Sequence, residues 1–289
     1  MTAAGPSLKG NINGMTSSHS EKPAEVYIDR CRGLIDKVAA QQPQIEQAAD
    51  WFASSILAGR VVHLFGAGHS RILVEEMWPR YGSFAGFNPI VELSLTFHNS
   101  VVGSNGQRQA MFLEKCPGLA DRILRNFDIS EIDSALVISS SGGNTVAIEV
   151  AEIFQRQGLK VVAIVSRAHS EASESNHPQG LKLADCADLV LDTGAPVGDA
   201  MVQVDGLDEP VSPGSTVGGS VLVNAIKAEI AARLARAGAA PTVLTAANLV
   251  GAGRSAELFE AAYDQHARRL AKLYENIGST IQNGRKQIE

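Results

Sequence analysis

Four short runs of almost purely apolar residues recur along this chain: Val61–Phe65, Ala135–Ser139, Lys160–Ser166 and Ala187–Leu191. A strand that is apolar on both sides must be covered on both faces, which is the condition of a strand inside a parallel sheet. Ile90–Leu93 is a weaker candidate of the same kind. Helical periodicity fills the gaps. Ala147, Ile148, Val150, Ala151, Ile153 and Phe154 stand at three- and four-residue steps, and Gly158 follows as a C-cap signal. Strands alternating with helices predict an α/β fold with a doubly wound parallel sheet.

The flanks read differently. Residues 1–22 are rich in Gly, Ser, Asn and Thr, too polar to bury, and are expected to form a flexible tail. They lack the apolar core of about 7–15 residues that a signal peptide needs. Val26, Leu34, Ile35 and Val38, then Ile45, Ala48, Ala49, Phe52 and Ile56, predict two helices interrupted near Pro43. Gly194–Gly214 reads as a long loop ahead of a helix over Val217–Ala237, and long ordered loops tend to carry function. A last helix is expected from Ala256 to about Ile277, packed on the core or on a partner subunit. The expected organisation is a tail at 1–22, N-terminal helices at 23–58, a central domain at 59–240 and a C-terminal helical extension at 241–289.

Composition narrows the function. With 45% hydrophobic and 19% charged residues the chain can bury a full core, so neither a metal nor a disulfide is needed to hold it together. The net charge of −6, with no long basic run, gives nucleic-acid binding no footing. Cys31, Cys116 and Cys186 match neither a disulfide framework nor a metal knuckle, and a reducing cytoplasm suits them best. No stretch approaches the roughly 18 apolar residues of a membrane span. The expected partner is therefore a small molecule, with no nucleic acid and no membrane.

Two loops carry the chemistry. Gly66-Ala67-Gly68-His69-Ser70 joins a buried strand to a helix; the glycines let the backbone approach a ligand, and free amides at the helix start favour an anion. A dinucleotide fingerprint would need glycine where Arg71 stands, so no such cofactor is expected. Ser139-Ser140-Ser141-Gly142-Gly143-Asn144-Thr145 brings hydroxyls and glycine amides to a second strand-to-helix junction. Taken alone, either loop is a capped turn. Two of them at the carboxyl ends of parallel strands mark the edge where open α/β sheets bind ligands, and hydroxyls with amides suit a phosphorylated small molecule. No lysine accompanies them as in a nucleotide-triphosphate loop.

These two loops together resemble the SIS (sugar isomerase) domain, whose motifs look like G-x-G-x-S and S-x-S-G-x-T, over roughly Trp51–Ala237. Length and extra segments look most like a group of bacterial SIS-domain proteins of unassigned activity. The resemblance implies a five-stranded, flavodoxin-like parallel sheet flanked by helices, a homodimer, and a sugar phosphate held by Gly68, Ser70, Ser139, Ser141 and Thr145, with no cofactor and no metal. The second loop has one residue more between Ser141 and Thr145 than the pattern, so its register shifts and Ser140 can take the place of Ser139.

Aldose–ketose isomerisation moves a proton between adjacent carbons and needs a carboxylate or imidazole; Glu75, Glu76, Glu92 and His98 are the candidates. Glu75-Glu76-Met77-Trp78-Pro79-Arg80-Tyr81 resembles the E-E-x-x-x-R-Y segment of phosphoheptose isomerases, which implies a catalytic Glu76, and His98 lies where some SIS isomerases place a functional histidine. Ser212–Ser220 resembles the G-S-T stretch of N-acetylmuramic acid 6-phosphate etherases, which adds Ser215 and Thr216 to the binding residues and lyase-type ether cleavage to the possible reactions. The etherase glutamate has no counterpart, since Arg80 stands there. A sugar-phosphate sensor without turnover is the third reading. His63, inside a buried strand, is expected to be a hydrogen-bonded core residue.

Overall fold

The computed structural model describes residues 22–96 and 106–277. Most of the expected tail and the candidate His98 lie outside them. Five strands form one parallel sheet: β1 (Val62–Gly66), β2 (Phe87–Pro89), β3 (Ser134–Ile138), β4 (Lys160–Val165) and β5 (Leu189–Asp192), in the order β2-β1-β3-β4-β5. The register is continuous, with Leu64 opposite Leu136 and Leu136 opposite Val162. This is the doubly wound, flavodoxin-like order, and it reverses direction between β1 and β3.

The weak strand sits earlier than its apolar residues suggest. Phe87–Pro89, rather than Ile90–Leu93, pairs with β1. Pro89 is tolerated because β2 is the edge of the sheet. Beyond it the Glu92 carboxylate accepts hydrogen bonds from the Ser94 hydroxyl and the Leu95 amide at 2.8 Å, starting a short helix at Leu93–Thr96. The long loop is corrected as well. Gly194–Gly214 contains a two-stranded antiparallel ribbon, β6 (Ala200–Val202) with β7 (Val211–Pro213).

Alternate residues of each strand face two cores. Leu64, Leu136, Ile138, Val162 and Ile164 pack with helices α1 (Pro23–Ala39), α2 (Gln42–Leu57) and α3 (Arg71–Met77). Phe65, Val137, Val161, Ala163 and Val165 pack on the opposite side, where helices at Leu119–Leu124 and Thr145–Arg156 supply Ile123, Val146, Ile148 and Phe154. The long helix Ser215–Arg236 lies on the first face, and Gly218 is why it can sit so close: a β-carbon there would fall 2.0 Å from the carbonyl oxygen of Thr193, at the end of β5. A last helix, Ala252–Ala271, reaches the body of the protein through Tyr263 and His266 against the Trp78 ring. No helix among the described residues is long and apolar enough to cross a membrane.

Buried polar groups in the sheet are paired, as burial demands. His63 is fully buried, takes a hydrogen bond from Asn88 on Nδ1 at 3.0 Å and meets Asp133 through Nε2 at 3.3 Å. Arg60 closes the cluster with a two-pronged contact to Asp133 at 2.9 and 2.7 Å.

Candidate functional site

The loops that follow β1 and β3 meet at the carboxyl edge of the sheet, at the point where strand order reverses. Two cavities open there, of about 140 and 190 Å³, and His69, Ser70, Ile138 and Ser140 line both. The first loop enters through one tight turn, Gly68–Ser70, into α3. The second runs from β3 to Asn144, which precedes the helix Thr145–Arg156.

Within the serine loop the three hydroxyls have different tasks. Ser139, Ser140 and Ser141 all line the larger cavity. The Ser141 hydroxyl accepts a hydrogen bond from the Gly143 amide at 3.3 Å. The Ser140 hydroxyl oxygen is buried with no hydrogen-bond partner among the described residues, and Ser140 is one of the residues that line both cavities. A buried hydroxyl without a partner costs about 1–3 kcal/mol, which a hydrogen-bonding ligand or water would recover.

Thr145 is placed otherwise. It is fully buried, its hydroxyl donates to the Asn176 carbonyl at 2.9 Å, and Asn144 rather than Thr145 is among the residues lining the cavity. The extra residue of this loop explains the register. The segment around Glu174 crosses directly over Gly143, where a β-carbon would sit 2.7 Å from the Glu174 carbonyl oxygen, and the Asn176 amide donates to the Gly143 carbonyl at 2.8 Å. That crossing takes the threonine hydroxyl for itself.

The smaller cavity is completed by the loop after β5 and by the start of the long helix. Thr193, Asp199, Ser215 and Thr216 line it. Asp199 accepts hydrogen bonds from the amides of Gly214 and Ser215 at 3.0 and 2.7 Å and from the Ser215 hydroxyl at 2.6 Å. On the larger cavity, His169 accepts the Gly198 amide on Nδ1 at 3.1 Å, which leaves Nε2 to carry the ring proton.

A carboxylate that no motif announced completes the larger cavity. Glu114 follows the helix Gly106–Leu113 and shares that wall with the serine loop. Burial pushes its carboxyl up to about 7, against the opposing pull of Lys115 and a hydrogen bond from Asn144. A carboxyl that changes charge near neutral pH is suited to taking and returning a proton.

Glu76 has a different setting. Burial acts to raise its pKa, but hydrogen bonds from Asn224 and Arg80, with the charges of Arg80 and Lys227, hold the carboxyl below its ordinary value. The Asn224 amide donates to it at 2.7 Å, Arg80 forms an ion pair with it, and it is not among the residues lining the two cavities. Lys227 is buried behind it and donates to the Glu76 carbonyl at 2.7 Å. Glu75 pairs with Arg71 at 2.6 Å on the wall of a separate apolar cavity. Neither ligand cavity has Lys or Arg among its described lining residues. An anion there would be held by hydroxyls, amides and the positive end of the helix Thr145–Arg156.

The family model described as SIS domain matches residues 26–166. A UPF0309 protein of Listeria innocua is 33% identical over 252 residues, which is 87% of this chain and 98% of that protein. One from Brucella canis is 37% identical over 226 residues, 78% of this chain and 88% of its own length. Among solved structures, the Vibrio vulnificus NanR protein complexed with ManNAc-6P is similar at 12% identity, covering 86% of this chain and 71% of that one, with a TM-score of 0.44.

Proposed function

This chain belongs to the SIS-domain family, in the group of the UPF0309 proteins, and from that premise we propose that it binds a sugar phosphate and interconverts its aldose and ketose forms. The observation that carries the reading is the unpartnered hydroxyl of Ser140, a residue that lines both cavities, one of which also holds Glu114. In this reading the phosphate sits against Ser70, Ser139, Ser140 and Ser141 at the head of the helix Thr145–Arg156, where donors and the helix dipole stand in for cationic side chains. Gly68 keeps the first loop low enough for the sugar to pass. Glu114 takes the proton from the carbon beside the carbonyl and returns it to the former carbonyl carbon, while the proton of the adjacent hydroxyl passes to the carbonyl oxygen, so that an enediol lies between the two carbon transfers.

The resemblance to phosphoheptose isomerases points instead to Glu76, with His98 as its companion; Glu114 is favoured here because it lines the cavity and burial pushes its carboxyl up to about 7. Paired variants decide. Glu114→Gln is expected to abolish turnover and keep phosphosugar binding, whereas Glu76→Gln is expected to keep both. The reverse pattern would assign the proton transfer to Glu76.

Ether cleavage of an amino-sugar phosphate is the second reading, favoured by one observation: Ser215 and Thr216 line the smaller cavity. NMR of a bound and turned-over sugar phosphate distinguishes isomerisation, cleavage and binding without turnover. The homodimer belongs to the same proposal. Leu93 and Phe112, 56% and 70% exposed, stand on two short helices that contact each other and offer an apolar surface for a second copy. Sedimentation equilibrium tests it.

A further inference from the structure

The two cavities differ in the hydrogen-bonding groups they present. His69, Ser70 and Ser140 belong to the wall that both cavities share, and the larger one adds the ring N–H of His169 and the head of a helix. The smaller cavity adds a carboxylate. Ser215 gives its single hydroxyl hydrogen to Asp199, so toward a ligand its oxygen can only accept. Asp199 has three hydrogen bonds, and a carboxylate offers about four acceptor positions, so one remains.

We propose that Asp199 receives the non-reacting hydroxyl groups of the sugar, and that its carboxylate thereby fixes the ligand's orientation and keeps the phosphate at the serine loop. The proposal rests on the phosphosugar reading and deepens it. An ionised carboxylate repels a phosphate dianion and attracts hydroxyl or ammonium hydrogens, so the two ends of the ligand sort themselves between the cavities.

Backbone geometry supports a role for the side chain itself. Asp199 holds φ at +67°, a conformation that glycine adopts at lower cost, and it follows Gly198. The loop that carries it is held in place before any ligand arrives. From α1, Tyr27 donates to the Pro213 carbonyl at 2.9 Å, Lys37 to the Gly194 carbonyl at 3.0 Å, and Arg30 to the Met201 carbonyl. Pairing of Ala200 with Pro213 closes the ribbon beside it. A fixed acceptor discriminates between ligands better than a mobile one.

Asp199 also caps the helix Ser215–Arg236, so the test must separate recognition from stability. Asp199→Asn keeps an oxygen for the amide donors and removes the charge. Thr216→Val removes a hydroxyl from the same cavity without touching any donor to Asp199. Each variant is titrated calorimetrically with inorganic phosphate and with whichever of fructose 6-phosphate, glucosamine 6-phosphate and sedoheptulose 7-phosphate the wild type binds most tightly. The expected result for Asp199→Asn is unchanged phosphate affinity and about a tenfold loss for the sugar phosphate. Thr216→Val is expected to lose about threefold for the sugar phosphate alone. Equal losses for both ligands in Asp199→Asn, or an unchanged sugar-phosphate affinity, would overturn the assignment and leave Asp199 as a cap. Should Asp199→Asn fail to fold, Thr216→Val decides, and no loss there overturns the proposal. A wild type that binds neither inorganic phosphate nor any of the sugars overturns the phosphosugar reading itself, and this assignment with it.

Discussion

The backbone carbonyl of Glu114 accepts a hydrogen bond from the amide of Val146 at 3.0 Å, in the first turn of the helix that follows the serine loop. Asn144, at the head of that helix, acts on the Glu114 carboxyl against the effect of burial. Glu114 and the serine loop thus become walls of one cavity.

Glu114→Gln therefore separates binding from chemistry. With Glu114 as the base, kcat/KM of the wild type rises with pH up to about 7 and then levels, because the ionised form takes the proton. The variant is expected to lose at least about 100-fold in rate together with that limb, with phosphosugar affinity changed less than threefold. The linked stability effect has a fixed sign. The folded protein holds this proton more tightly than the unfolded chain, so the contribution is full below the ordinary glutamate pKa and is lost as pH rises through about 7. Urea titrations across that window are expected to show a shallower pH dependence in the variant.

Ser140→Ala is expected to move stability and binding in opposite directions. Removing a buried hydroxyl with no partner leaves the fold unchanged or stabilises it by up to about 1 kcal/mol. Phosphate affinity is expected to fall about tenfold, since a hydrogen bond to a charged group is lost. A thermal melt and a calorimetric titration on the same sample check both signs. A drop in stability with unchanged affinity would make the residue structural.

Asp133 anchors the sheet rather than the site. Burial alone would raise its pKa, but hydrogen bonds from His63 and Arg60 outweigh that and hold the carboxyl down at about 2. Its stabilisation is present above the ordinary aspartate pKa and is lost as pH falls through about 2. Asp133→Asn leaves Arg60 without its counter-charge and His63 without its carboxylate partner, and is expected to cost about 3–5 kcal/mol at pH 7 in urea denaturation, with a flattened acid limb.

Gly218→Ala tests the close approach of the long helix to β5. In an open helix this change stabilises by about 1 kcal/mol. Here the added methyl carbon would lie 2.0 Å from the Thr193 carbonyl oxygen, so the sign reverses and a loss of about 1–3 kcal/mol is expected. Thr193 and Ser215 line the same cavity, and sugar-phosphate affinity is expected to fall as well.

The parallel sheet and both ligand loops were legible because their signals are local: an apolar run such as Val61–Phe65 has few alternatives, and glycine with serine at its end marks a turn onto a helix. What depended on chain crossings was hidden. The hydroxyl of Thr145 goes to Asn176 because a segment some thirty residues later passes over Gly143, and no spacing within the loop reports that. Glu114 stands just ahead of the Pro117-Gly118 turn and in no motif; only the packing of its helix brings it to the cavity. Asp199 sat in a segment read as loop, and its role emerges from the ribbon and from the helix that starts at Ser215. Glu92 was visible as a carboxylate after a strand, but its oxygens are occupied by Ser94 and Leu95.

The most direct test is a calorimetric titration of the wild type with matched pairs of sugars, each phosphorylated and unphosphorylated. The account predicts binding that requires the phosphate; at 100 times the dissociation constant, such a ligand also stabilises the fold by about 2.7 kcal/mol. Equal affinity for the two members of each pair, or no binding by any phosphorylated sugar, would contradict it.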